Sequence, residues 1–286
     1  MKQHFTLYIV SPAGYVHSMA FLEVAQGLWG GLRELGYQTS ITTDPNELQG
    51  RVIVLGANLL DHHGIPGLSL PQDAVLLNLE QITKGSPWIT DALLKRYSEF
   101  RVWDYSKNNV KALYELGCRD VHYVGIGYAK LLSRIRMLPE NDRDIDVLFY
   151  GSLNERRSKI LKGLQDKGLK VVHLFGVYGD QRDEVIARSK IVLNIHFYSS
   201  KIFEIVRLSY LLSNRAFIVS EHGSDPMEEA PYSKGLVLCE YEQLIDTCVK
   251  WIDDESGRRA RAFKGFRVMK SNLQSKLLEA ALQNGA

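Results

Sequence analysis

The stretch Asp146–Arg157, DVLFYGSLNERR, reads as a short apolar strand, a Gly-Ser turn and the first turn of a helix bearing two arginines. A helix N-terminus behind a small-residue loop attracts anions, because its first N–H groups are free and its dipole is positive there. Arginine adds a two-pronged grip on phosphate. Cations in a first helical turn oppose the dipole, so an anion beside them relieves the conflict. Gly151, Ser152, Arg156 and Arg157 are therefore candidate phosphate-site residues. The spacing is not GxxxxGK[ST], which removes most ATPase and kinase readings.

Working outward, the same strand-then-helix alternation continues in both directions. Downstream come a helix over Glu155–Lys167, a strand over Lys170–Leu174, a short helix over Asp183–Arg188 and a strand over Ile191–His196. A helix over Phe203–Leu212 and strands over Ala216–Ser220 and Leu236–Cys239 follow, and the rest reads as the helices Tyr241–Ile252 and Gly257–Ala281. Upstream, strands are expected at Phe5–Val10, Gln38–Thr42, Arg51–Leu55, Ala74–Leu77, Phe100–Trp103 and Val121–Val124. Helices are expected after the first strand (about 18 residues, ending near Gly36), over Ile89–Tyr97 and over Asn108–Leu116. Parallel strands need crossover helices, so this alternation predicts two doubly wound parallel sheets. The polar, proline-containing run Leu138–Asp144 breaks the pattern. The expected division is an N-terminal domain over 1–137, a linker over 138–145, a second domain over 146–256 and closing helices over 257–286.

Composition bounds the function. The 286 residues suit two domains, with an ordinary 45% hydrophobic and 24% charged content. A net charge of +2 is too even for a dedicated nucleic-acid binder. Three scattered cysteines (Cys118, Cys239, Cys248), with no CxxC, read as reduced thiols rather than a disulfide framework. The first apolar run stops at Pro12, too early for a signal peptide, and no segment approaches a membrane span. A cytoplasmic protein is expected, with peripheral attachment to a membrane left open.

Ligands of doubly wound sheets bind at the carboxyl ends of the strands, so the loops there hold the other candidates. Gly14, Tyr15 and His17 lie in the first loop, Ser11–Ser18, with Ser18 as an expected helix cap. His17 has the unperturbed pKa suited to removing a proton from an acceptor hydroxyl. Asn78, Glu80 and Gln81 follow an apolar strand, where amides read hydroxyls and Glu80 is a second candidate base if burial raises its pKa. Asp104 follows the next strand, with helix capping as the plainer reading. In the second half, Gly176 and Tyr178 in FGVYG suit a flat ring, and His196 and Tyr198 end a buried strand. Glu204 and Arg207 stand one helical turn apart, Glu204 suited to a ribose diol and Arg207 to phosphate. No acidic pair has metal-ligand spacing.

DVLFYGSLNERR, FGVYG, ARSKIVLNIHFY and FEIVRLSYLLSNRAFIVSE together resemble the nucleotide-binding half of bacterial GT-B glycosyltransferases, of the family 1 and CgeB-like kind. NLEQI and VWDYS in the first half look like the same group. The resemblance implies the GT-B fold, α/β, with two Rossmann-like doubly wound parallel-sheet domains facing a central cleft. It also implies a nucleotide-sugar donor in the second domain, an acceptor on the first, no cofactor and no essential metal. Ribose or diphosphate binding carries over to Glu204. The chain departs from the family's Ex7E pattern: it has Glu204 and Arg207 before Asn214-Arg215-Ala216, with Glu221 after the next strand. Retention versus inversion stays open, as does the acceptor, whether glycan, protein, nucleic-acid base or small molecule. A nucleotide-sugar 2-epimerase and a non-catalytic nucleotide-sugar-binding module are the alternatives.

Overall fold

The computed structural model describes residues 3–62, 68–83 and 85–283. The chain divides into two compact units, 1–132 with 272–286, and 133–271. The first break thus falls ahead of Leu138–Asp144, a run that belongs to the second unit and there forms a turn of 3-10 helix at Glu140–Asp142.

In the first unit β1 (His4–Ile9), α1 (Leu22–Glu34), β2 (Gln38–Thr42), β3 (Arg51–Leu55), α2 (Leu59–His62) and β4 (Val75–Asn78) come first. Then follow α3 (Asp91–Glu99), β5 (Arg101–Asp104), α4 (Lys107–Glu115) and β6 (Val121–Tyr123). The six strands form one sheet in the order β2-β1-β3-β4-β5-β6, every neighbouring pair parallel. Central strands covered on both faces must be apolar throughout, and Val52–Leu55 and Val75–Leu77 are accordingly buried.

The second unit holds β7 (Ile145–Tyr150), α5 (Glu155–Asp166), β8 (Val171–Leu174), α6 (Gly179–Ala187), β9 (Ser189–Asn194) and α7 (Ile205–Ser213). It continues with β10 (Ile218–Glu221), α8 (Pro226–Glu229), β11 (Val237–Cys239), α9 (Leu244–Ile252) and α10 (Glu255–Ser271). Its parallel sheet runs β11-β10-β9-β7-β8. In each unit the first and third strands lie side by side while the second lies outside them. The strand order therefore reverses between β1 and β3, and again between β7 and β9. Connections leave in opposite directions there, opening a crevice at the carboxyl edge of each sheet.

Two helical expectations are corrected. The first helix is preceded by a 3-10 turn, Val16–Phe21, and Ser18 does not cap it: its hydroxyl donates to the Val10 carbonyl at 2.8 Å. The final helix is broken between Ser271 and Gln274, and α11 (Gln274–Gln283) returns to the first unit. There the Tyr128 N–H donates to the Asn272 carbonyl at 2.7 Å and the Gln274 N–H to the Tyr128 carbonyl at 2.9 Å. Gly127 permits the contact, since a Cβ on it would sit 2.7 Å from that same Asn272 oxygen.

Candidate functional site

At the switch between β7 and β9, Gly151 leaves β7 with φ +132°, a conformation side chains disfavour. A Cβ there would stand 3.1 Å from Arg207 Nη2, so only glycine leaves this approach open. Asn154 caps α5 by accepting from the Arg157 N–H at 3.0 Å. At the end of β9, Asn194 is buried and its Oδ1 accepts from Arg207 Nη1 at 3.0 Å. Glu204 stands immediately before α7, with Arg207 Nη1 at 3.3 Å, His196 Nδ1 at 3.5 Å and Arg157 Nη2 at 3.6 Å. Burial alone would raise its pKa, but the Arg207 charge, the interaction with the His196 ring and the Arg157 charge hold the carboxyl down at about 2. It is a carboxylate at every working pH.

His196 completes the group. It is fully buried, and neither ring nitrogen has a hydrogen-bond partner among the described residues. Leaving a buried polar group unsatisfied costs about 1–3 kcal/mol, and such groups concentrate where a ligand supplies the partner.

Gly151, His196, Glu204 and Arg207 are thus brought together as the sequence suggested. The two arginines of α5 lie beside this group with other partners of their own. Arg157 is buried beneath the site, giving hydrogen bonds to the carbonyls of Ile195 and Ser152 and packing on the Phe149 and Phe197 rings. Burial pulls its pKa down to about 10. Arg156 grips Glu221 with both terminal nitrogens at 2.6 Å, donates to the His196 carbonyl and lies 4.0 Å over the Tyr241 ring. It also lines a depression with Asn154, Glu155, Lys159 and Tyr241. In the structure both arginines already pair with protein carbonyls, and Arg156 also with a carboxylate. Ser152 is exposed, its carbonyl serving Arg157. Gly176 and Tyr178 lie in the loop from β8 to α6, at the sheet edge beyond β7, and Tyr198 packs edge-on against Phe197 at 5.0 Å.

Lys201 was not foreseen. Its backbone has φ +45°, rare for a residue with a side chain, and its Nζ reaches Glu221 Oε1 at 2.9 Å. Its position in the loop following β9 was the available signal.

In the first unit the switch lies between β1 and β3. Glu80 is half-buried, and burial lifts its carboxyl pKa to about 7, against a lowering by Asn58 Nδ2, which donates to it at 3.3 Å. Asn58 comes from the loop after β3. Tyr15, from the loop after β1, has its own pKa raised by burial and then by the Glu80 charge. Gly14 (φ +78°) has open space where a Cβ would stand, and His17 packs edge-on against Tyr15 at 5.3 Å.

Asn78 and Asp104 are engaged with each other and with the chain around them. Both are buried, and Asn78 Nδ2 donates to Asp104 Oδ2 at 2.6 Å and to the Glu80 carbonyl at 2.9 Å. Asn109 Nδ2 donates to Asp104 Oδ1 and to that same carbonyl, and Tyr97 donates to Asn78 Oδ1. Their polar atoms fasten the loop that presents Glu80. Gln81, read as an acceptor-side amide, is buried in the same loop. Among the described residues no group of three or more His, Cys, Asp or Glu could hold a metal ion, and no helix is long and apolar enough to cross a membrane.

No family model matches the chain. Its sequence is similar to the uncharacterized proteins L140 (25% identity, 63% of this chain) and L137 (28% identity, 62% of this chain) of Acanthamoeba polyphaga mimivirus. The match spans 59% of L140 and 24% of L137. Among solved structures, HepE of Anabaena in complex with UDP and glucose superposes with a TM-score of 0.63 at 10% identity, covering 99% of this chain and 100% of that one. AviGT4, a glycosyltransferase involved in avilamycin A biosynthesis, gives 0.57 at 12% identity over 98% and 96%. The T4 phage β-glucosyltransferase gives 0.54 at 13% identity over 98% and 95%. At such identities the likeness is one of fold. The chain has the α/β GT-B fold of these glycosyltransferases, built as two units that each carry a parallel sheet.

Proposed function

We propose that the protein is a metal-independent glycosyltransferase of the CgeB-like, family 1 kind, moving a sugar from a nucleotide-sugar donor to an acceptor hydroxyl. The observation that carries this reading is the buried cluster of His196, Glu204 and Arg207 at the carboxyl edge of β9. Glu204, held ionised, accepts from the two hydroxyls of a ribose. Arg207 and His196 donate to the diphosphate, whose charge grows as the bond to the sugar breaks. Stabilising charge that develops in the transition state is what accelerates such a reaction, and fixed side-chain donors can supply it. Gly151 leaves the backbone room for the phosphates.

On the first unit Glu80 takes the proton from the acceptor hydroxyl. A base with a pKa near 7 is half ionised at neutral pH and still basic enough to work. The acceptor oxygen then bonds to the anomeric carbon as the bond to phosphate breaks, with inversion. Tyr15, with His17 packed edge-on against its ring, orients the acceptor.

UDP-glucose is the first donor to test, since the Anabaena HepE structures contain UDP, glucose and UDP-glucose. Thermal shift against a panel of nucleoside diphosphates and their sugars should show stabilisation by at least one, lost in Glu204→Gln. An unchanged shift in that variant, or no stabilisation by any member, would sink the donor assignment. Incubation with donor alone separates transfer from 2-epimerisation, which needs no acceptor.

A further inference from the structure

Helix α10 carries a concentration of charge that nothing in the donor or acceptor assignment uses. From Arg258 to Lys270 it has six cations (Arg258, Arg259, Arg261, Lys264, Arg267, Lys270) and no acid. The whole chain is only +2, so without these six it would stand at −4. One face of the helix is fixed against the second unit: Ala262, Gly265, Phe266 and Met269 are buried, and a Cβ on Gly265 would stand 3.2 Å from the Gly235 Cα. Arg258 is buried too and tied to Glu140, and Arg261 donates to the Ser233 carbonyl.

The opposite face is exposed and holds Arg259, Phe263, Lys264, Arg267 and Lys270. Phe263 is 53% exposed, with an arginine one helical turn away on each side. Glu255, in the first turn of α10, reaches Arg259 only at 3.8 Å, and both side chains are exposed. Such a pair is worth little and leaves the positive field intact. Arg215 and Lys270 both lie over the Phe266 ring and extend the patch sideways.

We infer that this face of α10 is a docking surface for an anionic lipid bilayer. The four cations from Arg259 to Lys270 stretch over about 16 Å of helix axis. The helix is backed along its length by its own unit, so it lies flat and cannot enter a nucleic-acid groove. A plane of anionic headgroups meets all four cations at once, while a curved duplex meets fewer. The face carries no Asn, Gln or Thr with which to read bases. An exposed phenylalanine between cations fits the boundary of headgroups and acyl chains, where basic amphipathic helices rest.

The test is co-sedimentation of the full chain with phosphatidylcholine vesicles, with and without phosphatidylserine, at low and at high salt. Binding should require phosphatidylserine and fall at high salt. Lys264→Gln/Arg267→Gln should weaken partitioning about 25-fold, since each cation near an anionic surface contributes roughly a fivefold gain. Phe263→Ala should weaken it by a smaller, measurable factor. The thermal midpoint of each variant checks its folding, and Arg267→Gln alone gives the same readout if the double variant folds poorly. Equal binding to pure phosphatidylcholine would overturn the inference. So would undiminished binding by these variants, or displacement of the protein from vesicles by duplex DNA.

Discussion

Asn109 Nδ2 donates to the carbonyl of Glu80 at 2.9 Å, and its Oδ1 accepts from the N–H of Ile82 at the same distance. A fully buried amide on α4 therefore grips the main chain just after the candidate base, while Asn78 Oδ1 accepts from the Glu80 N–H at 3.2 Å. Asn109→Ala would leave the Asp104 carboxylate and a buried carbonyl short of donors. That should cost about 1–3 kcal/mol of stability, seen as a lowered denaturation midpoint at unchanged slope. Because the residue positions Glu80, kcat should fall while the Kd for the nucleotide stays put. Weakened nucleotide binding with unchanged kcat would mean that Asn109 serves no such purpose.

The pH response of Glu80 follows from the direction of its shift. Its carboxyl pKa is raised by burial from the ordinary 4.5 to about 7. Between those values the folded state binds more protons than the unfolded one, so stability falls as pH rises through this window. The full difference is about 3 kcal/mol, and Glu80→Gln should flatten it. The same group should give kcat a rising limb centred near pH 7, because only the carboxylate accepts a proton. Glu80→Gln should lower kcat by roughly two to four orders of magnitude. If His17→Ala abolishes turnover and Glu80→Gln does not, the base belongs to the other loop.

Glu204 behaves oppositely. Its pKa is held down at about 2 by Arg207, His196 and Arg157 against the effect of burial. The stability it contributes is fully present above about pH 4.5 and is lost as pH falls toward 2. Glu204→Gln should weaken nucleotide binding by about 1–3 kcal/mol, measured by calorimetry, the range for a charged hydrogen bond. Retention of wild-type affinity would remove the ribose role.

The fold was legible because strand and helix periods alternate cleanly and the central strands β3 and β4 are almost wholly apolar. The pairing of Glu204 with Arg207 was legible for the same reason: one helical turn is a local distance. What sequence could not resolve was which polar groups already had partners. Asn78 and Asp104 look like ligand readers until β4 and β5 are laid side by side and the two side chains close on each other at 2.6 Å. The broken last helix likewise depends on Tyr128, far off in sequence. Arg156 and Arg157 differ by one residue, about 100° around the helix, which sends one toward Glu221 and the other under the β9 loop.

Arg156 offers the sharpest contrast between a structural and a ligand-binding cation. Glu221 is fully buried and keeps its charge, burial being outweighed by Arg156 and Lys201, which both hydrogen-bond to it. Removing one member of a buried pair strands the other, but Lys201 remains at 2.9 Å and the Arg156 side chain is one-third exposed. Arg156→Ala should therefore cost about 1–3 kcal/mol of stability, less than a fully buried pair would. In a chain of this size that lowers Tm by roughly 2–4 °C for each kcal/mol. Nucleotide affinity, measured on the folded variant, should change by less than about threefold, well under the tenfold that 1.4 kcal/mol represents. Glu204→Gln should show the reverse, a large loss of affinity beside a smaller loss of Tm. An Arg156→Ala protein with normal Tm and no nucleotide binding would return this arginine to the phosphate.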